Sequence, residues 1–356
     1  MKVAGRWRRA IEIDERGDVR VLDQVRLPNT IEWLALRDLD DSARAIRDMH
    51  VRGAPLIGAV AAAGVALALR EGVALDLACE VLAATRPTAV NLAWALAAMK
   101  ATLAERAGTG GSAMRAVDAD LAMQIAREVC EADVARNDAI GTHGLALLET
   151  RVTPQRQLNV LTHCNAGWLA TVDWGTALAP IYKAHDAGLA IHVWVEETRP
   201  RNQGLLTAWE LAQHGVPHTV IVDNAGGHFM QRGDVDVCIV GTDRTTANGD
   251  VCNKIGTYQK ALAAHDCDVP FYVAAPSPSI DWTIADGAAI PIEERSGDEV
   301  RLIGAARILS DDTNVANPAF DVTPHRLVTK IITERGTCDA TKAGLAALFP
   351  DLVVRG

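Results

Sequence analysis

The sequence predicts an α/β protein in which a mostly helical N-terminal domain with a small antiparallel sheet precedes a Rossmann-like parallel-sheet domain. Three observations lead to this prediction. The first part of the chain is dominated by helical patterns, whereas after residue 153 short runs of Val, Ile and Leu alternate with helical stretches. Such runs are typical of parallel strands buried on both faces. The 356 residues also exceed the size at which one core usually stops growing. We therefore expect two domains, 1–152 and 153–356.

The N-terminal domain is expected to begin with a small antiparallel meander. Apolar and polar residues alternate over 11–35, with breaks at Gly17 and Pro28. Helical patterns then cover 39–49, 54–69, 75–85, 91–106 and 114–148. Because the glycine-rich segment 108–112 follows a charged helix rather than a strand, we interpret it as a loop and not as a dinucleotide-binding fingerprint.

The second domain is expected to contain a parallel sheet with polar residues at its strand ends. Its predicted strands are 159–162, 190–195, 218–222, 237–240, 271–274 and 327–332. Polar residues follow five of them, among them Cys164, Gln203, Asp223 and Asp243. Ligands of open α/β sheets bind beyond the carboxyl ends of the strands, and right-handed crossovers place these ends on one edge. These side chains are therefore expected to converge.

Composition excludes several classes of function. The net charge of −10 argues against a broad nucleic-acid-binding surface. The longest uncharged run, 54–69, is shorter than the ~20 residues of a membrane span. The seven cysteines form no CxxC pair, which argues against a disulfide framework or a cysteine zinc site and favours the cytoplasm. The motifs of serine hydrolases, zinc proteases, P-loop NTPases and dinucleotide enzymes are missing as well.

Two features suit a phosphate ester. Arg52 and Gly53 precede a predicted helix with Pro55 near its first turn, and helix N-termini bind anions through free N–H groups and the macrodipole. Arg86 precedes Pro87, which favours an extended backbone. Each cation alone is also compatible with an ordinary surface position. Together with Lys254 they form a set that suits a dianion.

Asp243 and Cys164 are the candidate reactive groups. Asp243 follows the predicted strand 237–240, after which a polar loop is expected to lead to Asn253 and Lys254; the alternative is that Asp243 caps a helix. Cys164 is expected between a strand and a helix, where a thiolate is favoured, or else it is a small buried hydrophobe. His163 is expected to be structural. A carboxyl and a thiol beside a phosphate pocket suit isomerisation between neighbouring sugar carbons.

Several segments resemble the methylthioribose-1-phosphate isomerase family, whose fold is shared by the regulatory subunits of the eukaryotic initiation-factor guanine-exchange complex. These segments are VRGAP (51–55), RPTAVNL (86–92), LTHCNAG (161–167), ETRPRNQG (197–204), DNAGGH (223–228), GTDRTTANGDVCNKIGTY (241–258) and PFYVAAP (270–276). The resemblance implies a homodimer of the methionine salvage pathway that converts an aldose 1-phosphate to a ketose 1-phosphate. It implies neither a metal nor a cofactor.

The resemblance also implies roles for single residues. Asp243 would be the acid/base, and Cys164 would stabilise the transition state or relay a proton. The remaining residues would bind phosphate or sugar hydroxyls: Arg52, Gly53, Ala54, Arg86, Gln203, Asn253 and Lys254.

Some alternatives stay open at this point. The hydrogen can move between carbons through a cis-enolate or as a hydride. Trp168 and Trp174 follow the thiol closely, and the substituent at C5 of the substrate is not determined by the sequence. Alternative substrates are therefore 5-deoxyribose 1-phosphate and ribose 1,5-bisphosphate. The alternative that is not an enzyme is a non-catalytic regulatory subunit of the same fold. Retention of Cys164, Asp243 and the Asn253–Lys254 pair favours an enzyme.

Overall fold

The computed structural model describes residues 1–86, 90–106, 119–153 and 156–353. By contact density the chain divides into two compact units. Unit 1 comprises Met1–Asp138 and Gly167–Gly175, and unit 2 comprises Ala139–Ala166 and Thr176–Gly356. These units differ from the segments 1–152 and 153–356, whose independence as domains stays a prediction. The loop expected at 108–112 lies outside the described residues.

Unit 1 combines short antiparallel strands with long helices, as the sequence predicts. Its strands are β1 (Lys2–Val3), β2 (Arg6–Trp7), β3 (Ile11–Ile13), β4 (Val19–Leu22) and β5 (Trp33–Leu36). Its helices are α1 (Leu39–Arg47), α2 (Ala54–Arg70), α3 (Leu75–Ala83), α4 (Val90–Arg106) and α5 (Ala119–Glu149), the last of which continues into unit 2. Strands β3, β4 and β5 form the expected antiparallel meander.

Helix α2 is the central helix of unit 1. It is buried over nearly its whole length, which its run of Ala, Val, Leu and Gly allows. A Cβ atom at Gly64 would lie 2.8 Å from the Cβ of Ser42 on α1, and one at Gly58 would lie 3.1 Å from the carbonyl oxygen of Asn91 on α4. The small residues of α2 thus let two neighbouring helices approach closely.

The segment Gly167–Gly175 packs in unit 1 although it follows a strand of unit 2. Leu169 O accepts a hydrogen bond from Gln24 Nε2 (2.6 Å), and Val172 O accepts one from Ala10 N (3.0 Å). Val172 N in turn donates to the carboxylate of Asp133 on α5 (2.8 Å). Trp168 is fully buried. Trp168 is therefore part of the core of unit 1, whereas Trp174 is half-buried.

Unit 2 contains a seven-stranded sheet in the order β18-β17-β12-β9-β6-β7-β8, in which only β18 is antiparallel to its neighbour. These strands are β6 (Leu158–Thr162), β7 (Ile191–Glu196), β8 (His218–Ile221), β9 (Val237–Val240), β12 (Phe271–Ala274), β17 (Lys330–Thr333) and β18 (Gly336–Cys338). The helices of this unit are α6 (Ala179–Asp186), α7 (Gln203–His214), α8 (Gly226–Gln231), α9 (Thr257–Asp266), α10 (Asp298–Arg301) and α11 (Lys342–Leu348). The predicted Rossmann-like parallel sheet is confirmed.

A second sheet of unit 2, in the order β13-β10-β11-β16, was not expected from the sequence. Its strands are β10 (Arg244–Thr246), β11 (Val251–Lys254), β13 (Ile280–Asp281) and β16 (Phe320–Thr323), and a separate hairpin joins β14 (Leu302–Ile303) to β15 (Ala306–Arg307). The prediction of a polar loop from Asp243 to Lys254 is therefore wrong. This segment forms an antiparallel hairpin that turns at Asn248 and Gly249, a pair typical of tight turns.

None of the helices in the described ranges combines the length and the apolar character that crossing a membrane requires.

The stability of unit 1 is expected to depend on pH through Asp133, which is 5% exposed. Burial raises its pKa to about 6, although the N–H of Val172 acts in the opposite direction. Because this folded-state pKa lies above the usual value near 4, the folded state binds more protons, and stability falls as pH rises from about 4 to about 6.

Asp133→Asn keeps an acceptor for Val172 N but carries no charge, so it should increase the free energy of unfolding at pH 7.5 by at most about 3 kcal/mol. The gain should shrink as the pH is lowered to 5. Urea denaturation at both pH values measures it, with Asp120→Asn, an exposed position of the same helix, as the control. A variant less stable than wild type at pH 7.5 would contradict this account.

Candidate active site

The parallel strands of unit 2 bring the predicted polar residues to one edge of the sheet. Strand β6 lies between β9 and β7, with Leu161 opposite Cys238 and Thr162 opposite Val195. The chain leaves β6 toward Cys164 and leaves β9 toward Asp243 in the same direction. Because the carboxyl ends of parallel neighbours share an edge, both residues belong to this edge.

The segments that carry Cys164 and Asp243 are in contact. A Cβ atom at Gly241, two residues before Asp243, would lie 2.9 Å from the Cβ of Ala166 and 3.1 Å from Thr176 Oγ1. Ala166 is in turn two residues after Cys164. A larger side chain at Gly241 would push the two strand ends apart, so this glycine permits their close approach.

Cys164 has an unusual backbone conformation, with φ of +67°. Its N–H donates to Thr198 Oγ1 (2.8 Å), and its carbonyl oxygen accepts from Thr207 Oγ1 (2.8 Å). Positive φ at a non-glycine residue is uncommon and persists when surrounding contacts enforce it. The two threonines supply these contacts and hold the half-buried thiol in place.

Cys164 does not precede a helix directly, so this expectation is wrong. A single 3₁₀ turn follows at Trp168–Ala170, and the next α-helix, α6, begins only at Ala179. The chain instead leaves unit 2 to pack its next segment in unit 1. Helix N-terminal stabilisation of the thiolate therefore has no basis here.

Asp243 lies between β9 and β10, which excludes the helix-capping alternative. Its N–H donates to Cys252 O (3.0 Å), and the residue is half-buried. Burial raises the pKa of Cys252 to about 12, and the negative charge of Asp243 adds to this effect. Cys252 therefore stays a neutral thiol beside the acid.

The β10–β11 hairpin places Asn253 opposite Asp243. Arg244 pairs with Cys252, and the same antiparallel register continues to Asp243 and Asn253. Asn253 is buried and donates from Nδ2 to Thr257 Oγ1 (3.0 Å). Lys254, the next residue, donates to Ala319 O (2.9 Å), and its ammonium lies 4.4 Å from the centre of the Phe320 ring. The acid, the amide and the lysine thus share one hairpin.

Gln203 begins helix α7, the first helix after β7, and is 8% exposed. A Cβ atom on the next residue, Gly204, would collide with the carbonyl oxygen of Glu196. This close approach fixes the start of α7 against the strand end. Gln203 Oε1 is buried and accepts no hydrogen bond within the part of the chain that the structure describes.

Arg52, Gly53 and Ala54 surround the start of α2 in unit 1. Gly53 occupies the position before the helix with φ of +87°. A Cβ atom there would collide with the backbone of Ala170. No side chain caps this helix start, and Arg52 and Ala54 are half-buried. Arg86 follows α3 and is half-buried as well, while Pro87 lies outside the described residues.

In the described ranges one group of residues could hold a metal, and most of its ligand atoms have protein partners. His163, Glu196 and Asp223 each offer a ligand atom, and these atoms lie within 4.8 Å of one another. Lys260 Nζ is 3.1 Å from Glu196 Oε2 and supplies a positive charge there. The two oxygens of Asp223 accept the N–H groups of Thr198 and Arg199, each at 2.7 Å. This group therefore does not fit a free cation.

The polar residues 196–199 were expected at the end of a strand, but sequence reasoning gave Glu196 and Thr198 no role and did not identify Thr207. In the structure they bind the backbone of the thiol residue or the neighbouring histidine. Their sequence signal is weak because threonines and glutamates are common at strand ends and in helices. His163, expected to be structural, is indeed buried and hydrogen-bonded.

A sequence model of the initiation factor 2 subunit family matches residues 50–340. The chain belongs to this family. A relative from Acidiphilium cryptum, named methylthioribose-1-phosphate isomerase, is 59% identical over 367 residues, which cover 99% of this chain and 98% of the relative. The resemblance inferred from the motifs is thus confirmed along the whole chain.

Solved structures of family members have the same fold. The crystal structure of 5-methylthioribose 1-phosphate isomerase from Pyrococcus horikoshii OT3 is 40% identical, covers 97% of both chains and has a TM-score of 0.86. The structure of a protein from A. fulgidus, named translation initiation factor eIF-2B subunit delta, is 38% identical, covers 97% of this chain and 100% of that one and has a TM-score of 0.82. The family thus contains proteins with both kinds of name.

Gly53→Ala should disrupt the start of α2, because both the positive φ and the contact with Ala170 oppose a Cβ atom. Gly72→Ala is the matched control, since Gly72 has φ of +80° but nothing within 4 Å of a Cβ atom. The control should lose about 1 kcal/mol of stability through its backbone alone. Thermal unfolding should show a clearly larger loss of stability for Gly53→Ala than for Gly72→Ala. Equal losses of stability would mean that Ala170 can move away from the new methyl group at little cost.

Proposed function

We propose that this chain is an aldose–ketose isomerase that converts 5-methylthioribose 1-phosphate to 5-methylthioribulose 1-phosphate in methionine salvage. The observation that carries the proposal is its 59% identity, over 99% of the chain, to a protein named as this isomerase. Identity of this extent leaves little room for a different reaction. The residues at the sheet edge of unit 2 supply a chemistry that fits it.

Asp243 is the proposed acid/base. In this reaction the bond between C1 and the ring oxygen breaks and the ring oxygen gains a proton. One hydrogen moves from C2 to C1, and the C2 hydroxyl loses its proton as the C2 carbonyl forms. A carboxyl group between two strands is suited to these transfers, because its position is fixed by the backbone on both sides. Both the cis-enolate route and the hydride route require this proton transfer at oxygen.

Cys164 is the proposed second reactive group, which stabilises the transition state or relays a proton. Its backbone is bound on both sides by threonine hydroxyls, and its strand end contacts that of Asp243 through Gly241 and Ala166. A group held in this way needs little reorganisation during the reaction.

Gln203, Asn253 and Lys254 are the proposed partners of sugar or phosphate oxygens. The buried Gln203 Oε1, which accepts no hydrogen bond from the described residues, supports this role. A buried acceptor without a donor is costly, and a sugar hydroxyl would supply the missing donor. Lys254 supplies a positive charge from the hairpin that carries Asp243.

Arg52, Gly53 and Ala54 are the proposed phosphate-binding residues of unit 1, together with Arg86. The start of α2 has no side-chain cap, so its first N–H groups are not used by a capping side chain. Free N–H groups and the positive end of the helix dipole favour an anion at this position. Arg52 adds a full positive charge beside it.

A homodimer in the cytoplasm is the proposed state of the protein, with no nucleic-acid or membrane partner. All seven cysteines lie in the described residues and are free, which fits a reducing compartment. Light scattering should give twice the chain mass of 38.0 kDa. A monomer mass at micromolar concentration would reject the dimer.

The experiment that tests the function is an assay of ketose formation from three esters: methylthioribose 1-phosphate, 5-deoxyribose 1-phosphate and ribose 1,5-bisphosphate. The methylthio ester should have the highest kcat/KM. A higher kcat/KM with either of the other two esters would mean that this ester is the substrate of the same type of isomerisation. Lack of turnover with all three would favour the non-catalytic regulatory subunit.

Asp243→Asn and Cys164→Ala should each lower kcat by about a hundredfold or more with a small change in KM, because they remove groups that act in the transition state. Cys267→Ala is the matched control, since Cys267 is also a half-buried free thiol but lies after α9. Circular dichroism should confirm that all three variants are folded. Wild-type kcat in the Asp243 variant would remove its assigned role.

A further inference from the structure

Three ionisable residues near the strand ends of unit 2 are buried and have no role in the proposed function. His163 follows β6, Glu196 ends β7 and Lys260 belongs to α9; they are 1%, 0% and 3% exposed. The parallel register that pairs Thr162 with Val195 continues to His163 and Glu196. Charged side chains are rarely buried to this extent unless they are paired.

The imidazole of His163 lies between two acceptors. Its Nδ1 is 2.7 Å from Glu196 Oε2, and its Nε2 is 2.9 Å from the carbonyl oxygen of Ile255. Lys260 Nζ lies 3.1 Å from the same Glu196 oxygen. A buried ammonium needs a negative partner, so Glu196 is ionised and can only accept. His163 must then donate from both nitrogens, which requires the imidazolium form.

Other carboxylates lie close to this arrangement. Asp321 on β16 accepts the N–H groups of Gly256 (2.7 Å) and Tyr258 (3.1 Å) at the start of α9. Burial raises the pKa of Asp321, and the positive charges of His163 and Lys260 act against this rise. Asp223 adds a third carboxylate, because its ligand oxygen lies within 4.8 Å of the ligand atoms of His163 and Glu196. Two positive groups thus lie among three carboxylates, which reduces the cost of burying the positive charges.

The imidazole connects two segments of the proposed site that are far apart in sequence. Cys164 is the residue after His163, and Ile255 is the residue after Lys254. We propose that His163 is a positioning residue, held as an imidazolium, that fixes the Cys164 segment relative to Asn253 and Lys254. This inference rests on the proposed function, which assigns substrate contacts to those three residues.

Two amide variants separate the two contacts of His163. The amide nitrogen of Asn would take the place of Nδ1 and still reach Glu196, whereas that of Gln would take the place of Nε2 and still reach Ile255 O. His163→Asn, which releases the 255 turn, should raise KM about fivefold or more. His163→Gln, which releases Glu196 and the thiol segment, should instead lower kcat about tenfold with KM within about twofold of wild type.

His214→Asn is the matched control. His214 is also buried and paired with a carboxylate, that of Asp186 (2.8 Å), but it ends α7 at the opposite end from Gln203. It should keep the wild-type kcat and KM. Wild-type kinetics in both His163 variants would overturn the proposal. Equal changes of kcat and KM in both, with a fall in Tm, would also overturn it and leave a purely structural role.

The charge of His163 is tested without activity. In protein labelled with ¹⁵N-histidine at pH 8, His163 should show two protonated ring nitrogens, and these signals should be missing from His163→Asn. One unprotonated nitrogen would overturn the imidazolium. If the wild-type protein does not convert methylthioribose 1-phosphate and does not bind it in calorimetry, the proposed function fails, and the positioning role fails with it. The NMR result decides the charge state of His163 in either case.

Discussion

The parallel pairing of β6 with β7 and β9 is the constraint on which the rest of unit 2 depends. It sends three chain segments over the same edge, each with a polar residue where hydrogen bonding to the sheet ends. The thiol, the acid and the buried histidine all obtain their positions from this pairing. Gly241 and Gly204 then allow the segments beyond the strands to approach more closely than side chains would permit.

Several buried polar groups at this edge are hydrogen-bonded to one another. Thr198 and Thr207 hold the backbone of Cys164, and Glu196 is shared by His163 and Lys260. Each such group would be costly to bury alone, so the set rigidifies the strand ends as a unit. This rigidity suits the proposed roles of Asp243 and Cys164, which require both groups to stay in place while a hydrogen moves between carbons.

The family illustrates why the fold alone does not specify function. Relatives with similar overall structures have names from metabolism and from translation initiation. Function is therefore argued from the side chains of the site and not from the fold. In this chain the acid, the thiol and the Asn253–Lys254 pair are all present, and the first two lie on adjoining segments of one unit. That combination, with full-length identity to proteins named as isomerases, favours catalysis.

The sequence by itself determined the meander, the long helices and the parallel strands, because periodicity and apolar runs are local properties. Strand ends and motif resemblance also predicted Cys164, Asp243 and Asn253 as residues of the site. Only the tertiary structure decided that the expected polar loop is the β10–β11 hairpin, that the segment after Cys164 packs in unit 1, and that His163 bridges Glu196 and Ile255. These features depend on contacts between residues far apart in the chain, which local patterns do not encode.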